Sequence, residues 1–189
     1  MTKHLEQTEQ ALLLQIAREA LTLSVQGRAL PPLDLANLPQ PLQKDGASFV
    51  TLTEGGQLRG CIGALEAYQP LALDVQEHAM AAALQDYRFP QVRPDELGRI
   101  EIEISVLTPR TELDYETPED LIQKLRPNVD GVVLQDSFRK ATFLPQVWEQ
   151  LPQPEPFLAH LCQKMGAASN LWQKKHLTVF TYQVQEFHE

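Results

Sequence analysis

The run Ala47-Ser48-Phe49-Val50-Thr51-Leu52-Thr53-Glu54-Gly55-Gly56-Gln57-Leu58-Arg59-Gly60-Cys61-Ile62-Gly63 decides how this chain is read. Its first seven residues are rich in β-branched and aromatic side chains and form a strand. Glu54-Gly55-Gly56-Gln57 turns the chain back, because paired glycines accept the positive φ of a tight turn, and Leu58 to Ile62 becomes the second arm of a hairpin. Alternation along that arm predicts Arg59 and Cys61 on one face, with Leu58 and Ile62 nearer the other. Four glycines, an arginine and one of the chain's two cysteines share the nine positions Gly55 to Gly63.

Upstream of the hairpin, Leu12, Leu13, Ile16, Ala17, Ala20 and Leu23 recur at helical spacing and predict a helix from Leu5 to about Leu23, with Gly27 as its stop. Thr8 with Ala11 three residues on makes no capping box. The four prolines between Leu30 and Pro41 forbid a regular helix, and the leucines among them predict a connector laid over apolar surface. Downstream, Pro70 opens a helix from Leu71 to about Asp86 with Leu71, Val75, Ala79, Ala82 and Ala83 as its buried stripe. Asp86-Tyr87-Arg88-Phe89-Pro90 ends that helix, and Pro94 to Leu97 makes a short turn. Ile100-Glu101-Ile102-Glu103-Ile104-Ser105-Val106-Leu107 is a strand that buries the isoleucines and Val106 and shows Glu101, Glu103 and Ser105 on its other face.

In the last third, Thr117-Pro118-Glu119-Asp120 starts a helix whose inner face is Leu121, Ile122 and Leu125. A second hairpin is expected around Asp136-Ser137, and a short helix opens at Pro145. Pro152, Pro154 and Pro156 are expected to break the chain before a helix from Phe157 to Met165, closed by Gly166. One strand is predicted over Thr178 to Phe187. The aromatic set Phe143, Trp148, Phe157, Trp172, Phe180 and Tyr182 falls at inner positions of these elements. Strands and helices mix without strict alternation, which points to α+β.

The formal charge of −9 and pI near 5.0 argue against nucleic acid or an anionic membrane as the main partner while leaving room for a local anion pocket. Cys61 and Cys162 make no disulfide framework and no zinc motif. The opening residues Met1 to Gln7 lack the apolar core of a signal peptide, and Gln15, Arg18 and Glu19 interrupt the leucine-rich stretch, so a soluble cytoplasmic protein without a membrane span is expected.

Cys61, near a guanidinium and glycine amides, is the candidate catalytic thiol, set against its reading as a small buried hydrophobe. Arg59 either clamps a carboxylate or phosphate or pairs with Asp86, Glu101 or Glu103. Asp86 and Arg88 either face a ligand or form a salt bridge that fixes the turn. Glu101 and Glu103 are either an acid/base pair or a solvated face. No histidine pair has metal-ligand spacing, no metal site is assigned, and no cofactor is indicated.

Leu58-Arg59-Gly60-Cys61-Ile62-Gly63 resembles the signature of the AMMECR domain family. Asp86 to Pro90 is similar to the family's Asp-Pro-Arg-Phe-Pro segment, with Tyr87 where proline is usual. Ile100 to Leu107, Ala141 to Val147, Phe157 to Gly166 and Trp172 also fall in place, so the resemblance covers nearly the whole chain. The proline-rich stretches Leu30 to Pro41 and Pro152 to Pro156 lie outside it. The resemblance implies one AMMECR-type domain over residues 1–189, an α+β fold with a largely antiparallel sheet, packed helices and two subdomains flanking a cleft. It makes the signature the functional candidate but carries over no reaction; the residues themselves give Cys61 as the candidate catalytic residue and Arg59, Gly60, Gly63, Asp86, Arg88, Glu101 and Glu103 as candidate ligand-binding residues. The family's bacterial and archaeal members are called AmmeMemoRadiSam system protein A, a name that implies an association with a Memo-type protein and a radical S-adenosylmethionine protein. Two functions follow as expectations. One is an enzyme or enzyme component holding a small anionic ligand, with the glycine amides binding a developing oxyanion. The other is a non-catalytic adaptor in which the signature is structural.

Overall fold

In the computed structural model, which describes residues 4–189, two units form. One is built from residues up to Thr108 together with Gln185–Glu189, the other from Pro109–Val184. The first unit opens with helix α1 (Gln7–Val25), whose start is fixed by the Glu6 N–H donating to Glu9 Oε2 at 2.7 Å and whose end is set by Gly27 at φ 68°. Leu13, Ile16, Ala17, Ala20 and Leu21 form its buried stripe, with Leu21 taking the place expected of Leu23. The connector carries the short helix α2 (Gln40–Gln43), and Leu30, Leu33, Leu35 and Leu38 pack against the core as their spacing among prolines implies.

Strand β1 (Asp45–Glu54) turns through Gly55 and Gly56, at φ 59° and 76°, into β2 (Gln57–Gly63). A two-residue strand β3 (Gln69–Pro70) leads into α3 (Leu71–Leu84), and a 3-10 turn at Pro94–Glu96 precedes β4 (Ile100–Leu107). Val50, Leu52, Ile102 and Ile104 point to α1 and α3 and share one core with Val75, Ala79 and Ala82. The other face of β4 is not wholly solvated as expected. Glu101 is exposed and Glu103 half-buried, but Ser105 is buried, while Val106 is only half-buried.

The second unit contains β5 (Thr111–Glu112), α4 (Pro118–Lys124), β6 (Gly131–Asp136), β7 (Arg139–Phe143), α5 (Pro154–Lys164), α6 (Leu171–Lys174) and β8 (Thr178–Tyr182). Thr117 caps α4 by accepting the Asp120 N–H. The segment at Pro145–Glu149 is a 3-10 turn. Pro154 and Pro156 do not break the chain before α5. They sit in its first turn, where their missing N–H groups have no intrahelical partner to lose. Trp148 stacks on Phe157 with centroids 3.7 Å apart, and both are fully buried in a core with Leu121, Leu134, Leu161 and Trp172. The sheet runs β5-β8-β6-β7.

The expected terminal strand is two. Gln183 interrupts it, and β9 (Val184–His188) joins the first unit's sheet, which runs β2-β1-β4-β9 with β3 paired to β1, while β8 stays in the second. All the strand pairs whose register is defined are antiparallel. Periodicity alone does not show this switch of sheets, because both halves alternate alike.

One contact fixes β2 against α3. A Cβ on Gly60 would lie 2.2 Å from the Ala82 carbonyl oxygen, so strand and helix backbones meet directly there. Gly60→Ala is therefore expected to destabilise the protein by about 2–3 kcal/mol through backbone displacement, measured as a lower urea midpoint with unchanged cooperativity. Gly98→Ala, which meets nothing within 4 Å, serves as the control.

Candidate functional site

The signature strand β2 is the outermost strand of its sheet. Its pairing with β1 slips by one residue, with Leu52 opposite Gly60 but Thr53 opposite Leu58, so Arg59 is the extra residue of a β-bulge. The bulge breaks the alternation expected from sequence. Leu58 comes onto the face of Cys61, Thr51 and Thr53, while Ile62 packs towards the core.

Arg59 leaves that bulge towards the segment after α3. Its guanidinium makes a two-pronged contact with Glu96, Nε to Oε1 at 2.9 Å and Nη2 to Oε2 at 3.1 Å, and donates to the carbonyls of Pro90 (2.7 Å) and Gln91 (3.2 Å). Both side chains of the pair are largely buried. Arg59 and the Arg93 N–H hold the Glu96 carboxyl below its ordinary range against the opposing effect of burial. The partner is thus Glu96, not Asp86, Glu101 or Glu103. Sequence reasoning passed over Glu96 because it lies in a short acidic turn, Pro94-Asp95-Glu96, that resembles a solvated one.

Asp86 and Arg88 pair with each other, Arg88 Nη2 to Oδ2 at 2.7 Å and Nε to Oδ1 at 2.9 Å. They also grip the backbone of Cys61 from outside the sheet. The Cys61 N–H donates to Asp86 Oδ2 at 2.9 Å, and Arg88 Nη2 donates to the Cys61 carbonyl at 3.2 Å. The Arg88 guanidinium and these N–H donors hold the Asp86 carboxyl far below its usual range, although burial opposes them. The cation touching Cys61 is therefore Arg88 rather than Arg59. Because the Cys61 N–H and C=O point outward, ladder alternation turns those of Ile62 inward to Val50, so the Ile62 amide is not free for an oxyanion.

The Cys61 side chain is half-buried, and its Sγ accepts from Thr51 Oγ1 at 3.3 Å across the β1–β2 ladder. Thr51 lies opposite Glu103 on its other side, and Thr53 opposite Glu101. Burial pushes the Glu103 carboxyl up, Glu186 of β9 adds to the rise, and His188 opposes it. The carboxylate that acts on Glu103 is thus Glu186, while Glu101, two residues back on the same face, is exposed. Gly60 faces Ala82, and Gly63 accommodates the Phe49 ring, 2.3 Å from where its Cβ would be.

A buried polar cluster went unread in the sequence. On the core side of the sheet, Ser48 Oγ donates to Asp74 Oδ2 at 2.6 Å, and His78 Nδ1 lies 3.2 Å from the same oxygen. Asp74 Oδ1 has no hydrogen-bond partner among the described residues. The available signal was Asp74 and His78 at i and i+4 beside an alanine stripe. Among the described residues no group of three His, Cys, Asp or Glu side chains could hold a metal ion, and no helix is long and apolar enough to cross a membrane.

Residues 14–187 match the family described as AMMECR1. The chain belongs to that family. A protein of Methanothermobacter thermautotrophicus is 36% identical, over 98% of this chain and 96% of its own. A protein of Thermofilum pendens is 34% identical over 96% and 90%. The crystal structure of an uncharacterized protein from Pyrococcus horikoshii superposes with a TM-score of 0.85 at 28% identity, covering 98% of this chain and 93% of that one. The α+β architecture with antiparallel sheets is thus an AMMECR1-type fold.

Removing one member of a largely buried pair leaves the other charge without its partner, so Arg59→Ala is expected to cost about 3 kcal/mol in urea unfolding at neutral pH. Asp86 and Glu96 have folded-state values below their unfolded ones of about 3.9 and 4.3, so the stability they confer is present at pH 7 and lost as the pH falls below about 4. Arg88→Ala should accordingly narrow the difference between melting temperatures at pH 7 and pH 3. An unchanged difference would remove the Asp86–Arg88 pair as a source of acid sensitivity.

Proposed function

We propose that the chain is a partner-binding module, an adaptor or regulatory component working with Memo-type and radical S-adenosylmethionine proteins, in which the Leu58–Gly63 signature builds a rigid frame. The observation that carries this reading is that the polar arms of the candidate site are engaged inside the protein. Arg59 is taken by Glu96 and two carbonyls, and Arg88 and Asp86 by each other and by the Cys61 backbone. A small anion at Arg59 would have to displace a two-pronged carboxylate in a largely buried setting. Beside this frame stand Tyr87, 95% exposed, and Leu58, 45% exposed, side chains of the kind that anchor protein interfaces. We place the module in the cytoplasm, where Cys61 and Cys162, both unpaired, would stay reduced.

A second reading has its own support. The hydroxyl of Thr51 donating to a half-buried Cys61 thiol favours an enzyme component in which Cys61 is the nucleophile and a small anionic substrate binds beside it. Co-purification and metabolite profiling with the two partner proteins separates the readings. The adaptor reading expects Cys61→Ala to keep partner binding and the metabolite pattern, and Tyr87→Ala to weaken binding about tenfold. Loss of the metabolite change in Cys61→Ala, with binding and melting temperature intact, would replace the adaptor with the enzyme.

A further inference from the structure

Phe138 is 93% exposed and takes no part in the core of the second unit. It shares the two-residue loop between β6 and β7 with Ser137, where Asp136 pairs with Arg139 across the ladder. Ser137 holds φ at 56°, a region that glycine enters freely and other residues seldom adopt. The tip therefore carries two local costs, a constrained backbone and an aromatic ring in water. It is also held firmly. Asp136 accepts from Arg139 Nη2 at 2.5 Å and from Lys175 Nζ at 2.6 Å, and Arg139 Nη1 donates to the Gly166 carbonyl at 3.3 Å. These bonds tie the loop to the segments that follow α5 and α6.

The same bonds set the charge that a partner meets. The Asp136 side chain is 7% exposed, whereas those of Arg139 and Lys175 are 36% and 54% exposed. Lys175 also lines a cavity of about 120 Å³ with Lys174 and His176, where Glu116 is the opposing charge. The surface beside Phe138 is thus cationic, in a chain of net charge −9. We propose that the Ser137–Phe138 tip is a docking finger for an acidic protein, one that presents an apolar pocket rimmed by carboxylates. A ring on a convex tip is matched by a concave site, and the exposed Arg139 and Lys175 are matched by Asp or Glu side chains around it. A loop already held in place gives up little conformational freedom on docking. Nucleic acid is a poorer match, because a polyanion running past the tip meets the acidic remainder of the chain. A membrane is a poorer match too, because even a whole acyl chain anchors a protein there only marginally. The finger belongs to the second unit, whereas Tyr87 and Leu58 belong to the first, so it holds under either reading of the signature.

The full chain is made in its own cells with the photoreactive p-benzoylphenylalanine in place of Phe138, or of Val129, an exposed apolar side chain of the same unit, as the control. Adducts are mapped by mass spectrometry, and the captured protein is purified and titrated against wild type and variants. The finger predicts adducts from position 138 and not from 129, mapped to a pocket edged by Asp or Glu. It predicts affinity about tenfold weaker for Phe138→Ser and about threefold weaker for Lys174→Glu, which leaves the bonds to Asp136 whole. Raising sodium chloride from about 0.05 to 0.5 M weakens wild-type binding about tenfold. Both substitutions are at exposed side chains and leave the melting temperature unchanged. Adducts only to nucleic acid or lipid, adducts no more frequent at 138 than at 129, or full affinity in Phe138→Ser overturn the proposal. Binding that salt and Lys174→Glu leave unchanged overturns it as well.

Discussion

The first unit depends on the approach of the Gly60 backbone to the Ala82 carbonyl. With 2.2 Å between a would-be Cβ and that oxygen, β2 and α3 touch without side chains between them. This brings the end of α3 beside the open edge of the sheet, and the turn that follows must run along β2. Asp86 and Arg88 can then reach the Cys61 backbone, and the bulge at Arg59 can aim its guanidinium at Pro90, Gln91 and Glu96. The alanine-rich stripe of α3 and the glycines of β2 are two halves of one constraint. Larger residues in either would separate the backbones and release the turn.

The charges around the signature are organised by that geometry. Each carboxylate beside it has several donors: Asp86 takes the Cys61 and Arg88 amides as well as the guanidinium, and Glu96 takes Arg59 and the Arg93 amide. Removing these groups from water is costly, and only multiple hydrogen bonds in good geometry offset it. Both carboxyls are correspondingly held ionised. Glu103 is the contrast. It is partly buried with Glu186 as its nearest carboxylate influence, and its value moves the other way.

Local physics written in the residues made most of the fold legible. The hairpin at Gly55-Gly56, the strand Ile100 to Leu107 and the cap at Thr117 each follow from spacing or turn chemistry that acts over a few residues. The errors share a cause, which is that the deciding partner lies far along the chain. Pro154 and Pro156 read as breakers until the start of α5 is seen to lie before them. Thr178 to Phe187 reads as one strand because alternation does not reveal which sheet receives each half. At the site, sequence placed Arg59, Cys61, Asp86 and Arg88 in one neighbourhood and offered the Asp86–Arg88 salt bridge that forms, but it gave Arg59 the wrong carboxylates. A one-residue bulge sent Arg59 to Glu96 and left Cys61 to Arg88, and no periodicity predicts a bulge. The Ser48–Asp74–His78 cluster was hidden because a strand and a helix had to be superposed before its members met.

The arginines show why this frame tolerates little chemical variation. Arg59 serves four acceptor atoms on three residues, and Arg88 joins a carboxylate to a strand carbonyl through one planar group. A lysine ammonium carries the same charge but cannot match a carboxylate with two parallel bonds while also holding carbonyls in the same plane. Charge alone therefore does not specify either position. The specification is the direction of the N–H groups, set at Arg59 by the bulge and at Arg88 by the turn that closes on Asp86. Gly60 makes room for the helix, Arg59 ties the edge to the segment beyond it, and the Cys61 backbone receives Asp86 and Arg88. The Cys61 thiol stands apart from these tasks, because its hydrogen bond from the Thr51 hydroxyl runs across the ladder and not to the Asp86–Arg88 turn. The frame needs the backbone at this position rather than sulfur.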